Sequence, residues 1–321
     1  MRYIIILFFL TTAFFSKAQN WSAVGSGADT IIYTMAEYNG ELYVGGRFIV
    51  AGGMVCNYIA RWNGVSWNTV GSGMNDIVLG LKVFNGSLYA VGAFTTAGGV
   101  SANYVARWNG TNWTSLNSAI PPVTLLSSVE VYNNELVVSG YFNSIGGISA
   151  NNIAKWNGTS WSALGSGCNS GSSAMLVYNS ELYVTNITLA GGVSVNNIAK
   201  WNGSSWSNVG NGITGPLPFV TCLTIHNSKL IAGGSFTSAG GVATNNIASW
   251  NGVAWDSLSN GIGGGTEIVY AMTIFNSQLF VGGYFSNAGN LIVGNVARWN
   301  GAVWDSVGSG LTNGMTWVLC E

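Results

Sequence analysis

The residues able to do chemistry are few, and their positions decide what they can do. His226 is the only histidine among 321 residues. A lone imidazole cannot build a multi-histidine zinc site. A serine triad would have to run through it, and no G-x-S-x-G elbow accompanies it. His226 stands where Tyr38, Phe84, Tyr132, Tyr178 and Phe275 stand in related segments, so it reads as one ring replacing another.

The basic residues Arg61, Arg107, Lys155, Lys200 and Arg298 share one repeat-equivalent position, with Ser249 in the remaining repeat. Such a ring of cations could hold an anion. The simpler reading lays their stems along a neighbouring tryptophan with the heads in solvent. Glu41, Glu135 and Glu181 follow hairpin turns and read as solvated turn residues, while Asp256 and Asp305 follow a tryptophan in the last two repeats. No motif pairs two carboxylates for glycoside hydrolysis. The D-x-D-x-D-G calcium loop is absent. The cysteines Cys56, Cys168, Cys222 and Cys320 share no spacing and no metal-ligand pattern, and are expected as small buried hydrophobes rather than disulfides. No cofactor is expected.

Composition narrows the partners. Charged residues make up 7% of the chain, against about 25% in a typical soluble domain. A surface so poor in Lys and Arg cannot bind nucleic acid through its phosphates. The first residues have the layout of a secretory signal peptide: Arg2, an apolar run from Tyr3 to Phe15, then Ser16-Lys17-Ala18. Cleavage after Ala18 would leave residues 19–321 as the mature domain. The apolar run is too short to cross a bilayer, so no membrane span is expected after cleavage, and the product should be secreted or held at the cell surface.

The elements that position these residues come in repeats. W-N-G-x-x-W occurs six times, at Trp62, Trp108, Trp156, Trp201, Trp250 and Trp299, at steps of 45 to 49 residues. Each repeat reads as four short strands. In the first they are Ile32–Tyr38, an Asn39-Gly40 turn, Glu41 to Val44 running into Gly45-Gly46, a loop, Tyr58 to Trp62, an Asn63-Gly64 turn, and Trp67 to Val70. Four strands per unit of about 47 residues predict an all-β fold, a β-propeller of four-stranded antiparallel blades. The chain holds six complete repeats plus partial strands of a seventh: a lone fourth strand at Trp21 to Gly27, and the start of a first strand at Met315 to Glu321. It therefore reads as an incomplete propeller or a part of a longer protein.

The order of strands, the glycine doublet ending the second strand and the Trp in the fourth resemble the kelch repeats of galactose-oxidase-like propellers. The doublet is intact at Gly45-Gly46, Gly233-Gly234 and Gly282-Gly283, partial at Gly92 and Gly140, and lost at Thr185-Asn186. With one histidine, a copper site of the galactose-oxidase kind cannot be built. The W-N-G string is more similar to propeller repeats of fungal cortical cell-polarity proteins, and of extracellular propellers from Bacteroidota-type bacteria. The resemblance covers nearly all of the mature chain and implies the fold rather than an activity.

Two functions are compatible with this reading. The first is a non-catalytic extracellular module that binds a protein or glycan, or serves structurally. The second is an extracellular propeller enzyme acting on glycans. The missing catalytic and metal motifs favour the first. Ligand contacts are expected where the loops from a fourth strand to the next first strand diverge, within 74–79, 117–126, 168–173, 211–220 and 261–269 near the axis. The residues singled out there are Asp76, Pro121, Pro122, Pro216, Pro218 and Glu267.

Overall fold

The computed structural model describes residues 23–116, 121, 125–263 and 266–311. The expected signal peptide, Trp21, Pro122 and the segment from Met315 lie outside them. Every regular element among the described residues is a strand. They include six four-stranded antiparallel sheets, one per W-N-G-x-x-W repeat.

The first repeat shows the plan. β1 (Ile32–Tyr38) pairs with β2 (Glu41–Gly46). Next come β3 (Val50–Ala51) and β4 (Met54–Val55), a small hairpin set off from the main sheet. β5 (Ile59–Trp62) pairs with β2, and β6 (Trp67–Thr69) closes the sheet against β5. The expected four strands are therefore present, and the loop around Ala51-Gly52-Gly53 folds into two more. Two-residue strands leave no periodicity to read. The third strand begins one residue later than expected, because Tyr58 takes φ +69°, a left-handed conformation that a strand cannot contain.

The repeat motifs have local causes. In W-N-G-x-x-W the two tryptophans sit opposite each other, Trp62 against Trp67, with ring centroids 5.5 Å apart. The Asn63 side-chain oxygen accepts hydrogen bonds from Val65 and Ser66 N–H at 2.9 and 2.8 Å, closing the turn. Gly64 supplies φ +94°. The second glycine of the doublet has a different role. A Cβ on Gly46 would fall onto the Ile31 carbonyl oxygen, and one on Gly234 onto that of Phe219. Where the doublet is lost, the fourth repeat rebuilds this corner. Its first strand shrinks to Met175–Tyr178. Ser172 and Thr185, both fully buried, bond one another and the Ala174 carbonyl.

The described chain divides into two compact units. One is Ala28–Gly212, with four of the four-stranded sheets; the other takes in described residues before Ala28 and from Ile213 on, with two. Within each, successive sheets pack through their first strands, burying Tyr43, Phe94, Trp108 and Trp113 in one apolar cluster and Ile231, Phe285 and Trp299 in another. Indoles stitch neighbouring sheets: Trp113 Nε1 donates to the Val70 carbonyl at 3.0 Å, Trp206 to Leu164 at 3.2 Å and Trp304 to Leu258 at 3.0 Å. Trp161, their counterpart in the third sheet, has a buried indole N–H without a hydrogen-bond partner.

Candidate functional site

Antiparallel pairing fixes which loops share an end. The second-to-third strand loop and the loop leaving the fourth strand emerge at the same end of each sheet. Hydrogen bonds join them. Asn75 Oδ1 accepts from Thr95 and Thr96 N–H at 2.8 and 2.9 Å, and Asn169 Oδ1 from Thr188 and Leu189 N–H at 3.1 and 3.0 Å. The residue just before each clamp pairs with the small hairpin, Met74 with Ala97 and Cys168 with Ala190. The variable loops therefore begin with two positions committed to folding.

That pattern reassigns Glu267. Ile262 bridges to Ala288 as Met74 bridges to Ala97, so Gly263 stands where Asn75 stands and has no side chain to clamp with. Glu267, four residues on, takes over. Its Oε1 accepts from Ser286 N–H at 2.9 Å and from Ser286 Oγ at 2.8 Å. The other sites expected from the sequence are scattered. Asp76 is exposed, and its carboxylate accepts from Ile77 N–H at 2.7 Å. Pro121 is half-buried, and Pro122 lies outside the described residues. Pro216 is exposed and Pro218 half-buried. Between and after them, Leu217 is 87% exposed and Phe219 45%. Of the five that are described, only Pro216 and Pro218 share a loop.

Two rings at the same end escaped the sequence reading. Tyr141 and Tyr284 follow the second glycine of their repeats and are about half exposed. The legible signal was composition, since the equivalent residues are Arg47, Ala93 and Ser235.

Away from this end the charges neutralise each other, which corrects two expectations. Arg61 meets Glu41 at 2.6 Å, Lys155 meets Glu135 at 2.6 Å and Lys200 meets Glu181 at 2.8 Å. Arg298 bonds Asp305. The glutamates are thus ion-pair partners rather than solvated turn residues, and four of the five cations are engaged rather than arrayed for an anion. Arg107, where Ser87 stands in the acid's place, is exposed and meets Tyr89. Sequence spacing hid the pairs because partners lie 19 or 20 residues apart, diagonal across the second and third strands. The fifth repeat supports the pairing: Lys229 replaces the acid and Ser249 the base, so no like charges meet. Lys82 and Glu130, 2.5 Å apart, link neighbouring first strands.

His226 and the three described cysteines sit within the packing of the sheets. His226 is buried, and its Nε2 lies 3.1 Å from the Ser277 carbonyl of the next sheet. Cys56, Cys168 and Cys222 are free thiols. Burial pushes the Cys168 and Cys222 thiols up to about 12. Among the described residues no cluster of three or more His, Cys, Asp or Glu could hold a metal ion. None contains a helix long and apolar enough to cross a membrane. A cleft of about 430 Å³ opens beside Asn151, Asn152, Cys168 and Leu189. The amides lining it are spent on folding: Asn151 donates to Ser166 and Asn152 to Cys168.

The model of the Rax2 C-terminal β-propeller domain matches residues 5–178, just over half of the chain. Among solved structures, the extracellular domain of a hybrid two-component system from B. thetaiotaomicron is similar over 92% of this chain at TM-score 0.56 and 11% identity. This chain spans 36% of that one. The WD40 β-propeller domain of Doa1 is similar at TM-score 0.55 and 12% identity, over 91% of this chain and 86% of that one. YjhT is similar at TM-score 0.52 and 14% identity, over 86% and 97%. No curated protein sequence matches. At these identities the structures speak for the fold, a β-propeller whose four-stranded sheets are its blades.

Proposed function

Because this chain belongs to the Rax2 C-terminal β-propeller domain family, we propose that it acts as a non-catalytic extracellular binding module, presenting its loop end to a protein or glycan. One observation carries the reading. In the divergent segment 215–219 Leu217 stands out at 87% exposure between Pro216 and Pro218, with Phe219 beside it, whereas the similarly exposed Val65 and Val253 sit in the repeated W-N-G-x-x-W turns. Exposing apolar side chains on a stiff loop has a cost in water, and divergent loops on rigid folds are where recognition resides. The groups that would otherwise suggest catalysis are occupied: His226 holds a neighbouring blade, and Glu267 clamps Ser286. Secretion or surface display rests on the apolar N-terminal run, and the similar B. thetaiotaomicron domain is extracellular.

The test replaces residues 215–219 with Gly and Ser, leaving the buried Ile213 and the clamp at Glu267 in place. Binding to cell-surface material should be lost while the thermal transition moves by no more than a few degrees. Binding that survives this replacement, or a purified protein that turns over glycans, would overturn the reading.

A further inference from the structure

The loop end of residues 213–311 has a chemical character that selects among partners. Phe219 pairs opposite Ser235 at the start of its blade's first strand, and Ile268 pairs opposite Tyr284 at the matching level of the next. Phe219 therefore stands where Ile31, Ile77, Leu125 and Ile268 stand elsewhere. All four of those are half-buried, whereas Phe219 is exposed. Tyr284 stands where this unit's other blade has Ser235 and is 49% exposed. The two blades are joined at this level: Thr221, two residues along from Phe219, bonds the Val269 carbonyl, one residue along from Ile268. Two half-exposed rings thus occupy one end of adjoining blades.

Charge is almost absent around them. The described charged residues of this unit are Lys229, Asp256, Glu267, Arg298 and Asp305. Lys229 sits opposite His226 at the other end of its sheet, Asp256 and Arg298 lie on outer strands, and Arg298 is paired with Asp305. Only Glu267 reaches the loop end, and Ser286 occupies it. What remains beside the two rings is hydroxyl, amide and backbone polarity, with Leu217 and the small-hairpin residues Val242, Leu291 and Ile292 as further exposed apolar side chains. That combination suits a neutral sugar, whose C–H faces stack on aromatic rings while its hydroxyls bond uncharged polar groups. It suits a protein partner less well, because a stable protein interface spreads over about 800 Å² per side around its hot spots and would draw in the exposed Ile292 of the small hairpin as well, whereas a sugar needs only the two rings.

Resting on the binding-module reading, we infer that Phe219 and Tyr284 form a subsite for a neutral polysaccharide. The test is affinity electrophoresis of the full chain through gels containing neutral polysaccharides: β-1,3-glucan, β-1,4-glucan, mannan and xylan. At least one should retard the protein, with little change in 0.5 M salt, because uncharged contacts are not screened. Phe219→Ala and Tyr284→Ala should each weaken retardation by about tenfold, the order expected for a lost aromatic contact. Tyr141→Ala, an equally exposed ring in the other unit, should leave it unchanged. Retardation that persists in the Phe219 and Tyr284 variants but vanishes when 215–219 is replaced sinks the subsite and leaves the binding module standing. So does a purified protein partner that needs 215–219 when no polysaccharide binds. No retardation, and no partner dependent on that segment, sinks both.

Discussion

The Nε2 of His226 and the carbonyl oxygen of Ser277 are 3.1 Å apart across a blade boundary, and Tyr38 makes the same link with its hydroxyl, 3.2 Å from the Gly86 carbonyl. Ser277 and Gly86 are equivalent turn residues, each two positions after the ring of its own repeat. The histidine has thus kept the tyrosine's reach. His226→Tyr should preserve stability. His226→Phe should cost about 1 kcal/mol for the lost hydrogen bond, and His226→Ala about 2 to 4 kcal/mol for the added cavity. Urea unfolding of the three variants checks the order.

The indole stitches predict a similar split. Trp113→Phe keeps most of the ring and loses the bond to Val70, so it should cost about 1 to 2 kcal/mol. Trp161→Phe has no such bond to lose and should cost less. Chemical denaturation of the pair measures the difference directly.

The ion pairs should matter little for stability. Arg61 and Glu41 are both partly exposed, and such pairs contribute about 0 to 1 kcal/mol. A double-mutant cycle with Arg61→Met and Glu41→Gln should give a coupling in that range, shrinking in high salt. A coupling of several kcal/mol would mean that the pair is more buried than its surface suggests.

Stability should fall in alkali. The Cys168 and Cys222 thiols are held near 12 in the folded chain, against 9.0 in the open chain. Below pH 9 both states carry the proton, so the folded state keeps its full advantage. Between pH 9 and 12 the unfolded chain gives up protons that the folded chain retains, and stability drops as pH rises. Buried Tyr43 and Tyr89, both raised above 10.0 by burial, push the same way. Cys168→Ala and Cys222→Ala together should flatten the profile of unfolding free energy from pH 9 to 11. The same thiols should resist alkylation at pH 8 until the chain is unfolded.

The blades were legible because their tryptophans must recur at blade spacing to face each other across the outer hairpin. The position of His226 was legible for the same reason, since its neighbours in register are rings. The clamp was not. Asn75 and Asn169 are two among many asparagines, and Glu267 does the same work four residues out of register. The salt bridges were missed because Glu41 and Arg61 lie 20 residues apart and meet only once β2 and β5 are paired. The candidate site was half legible. Proline marked its loop, yet Leu217 and Phe219 between and beside the prolines carry the exposure, and Tyr284 sits in a strand that looked purely structural.

The indole stitches point backwards along the chain. Trp113, Trp206 and Trp304 each reach a carbonyl made 42 to 46 residues earlier. The corner of one blade is thus completed by a residue the ribosome has yet to add. At these three boundaries the order of synthesis becomes the order of assembly, the new repeat finishing its predecessor. A blade closed in this way as the next repeat arrives leaves less unpaired sheet on a partly made chain, which is the surface through which unfinished β-proteins aggregate.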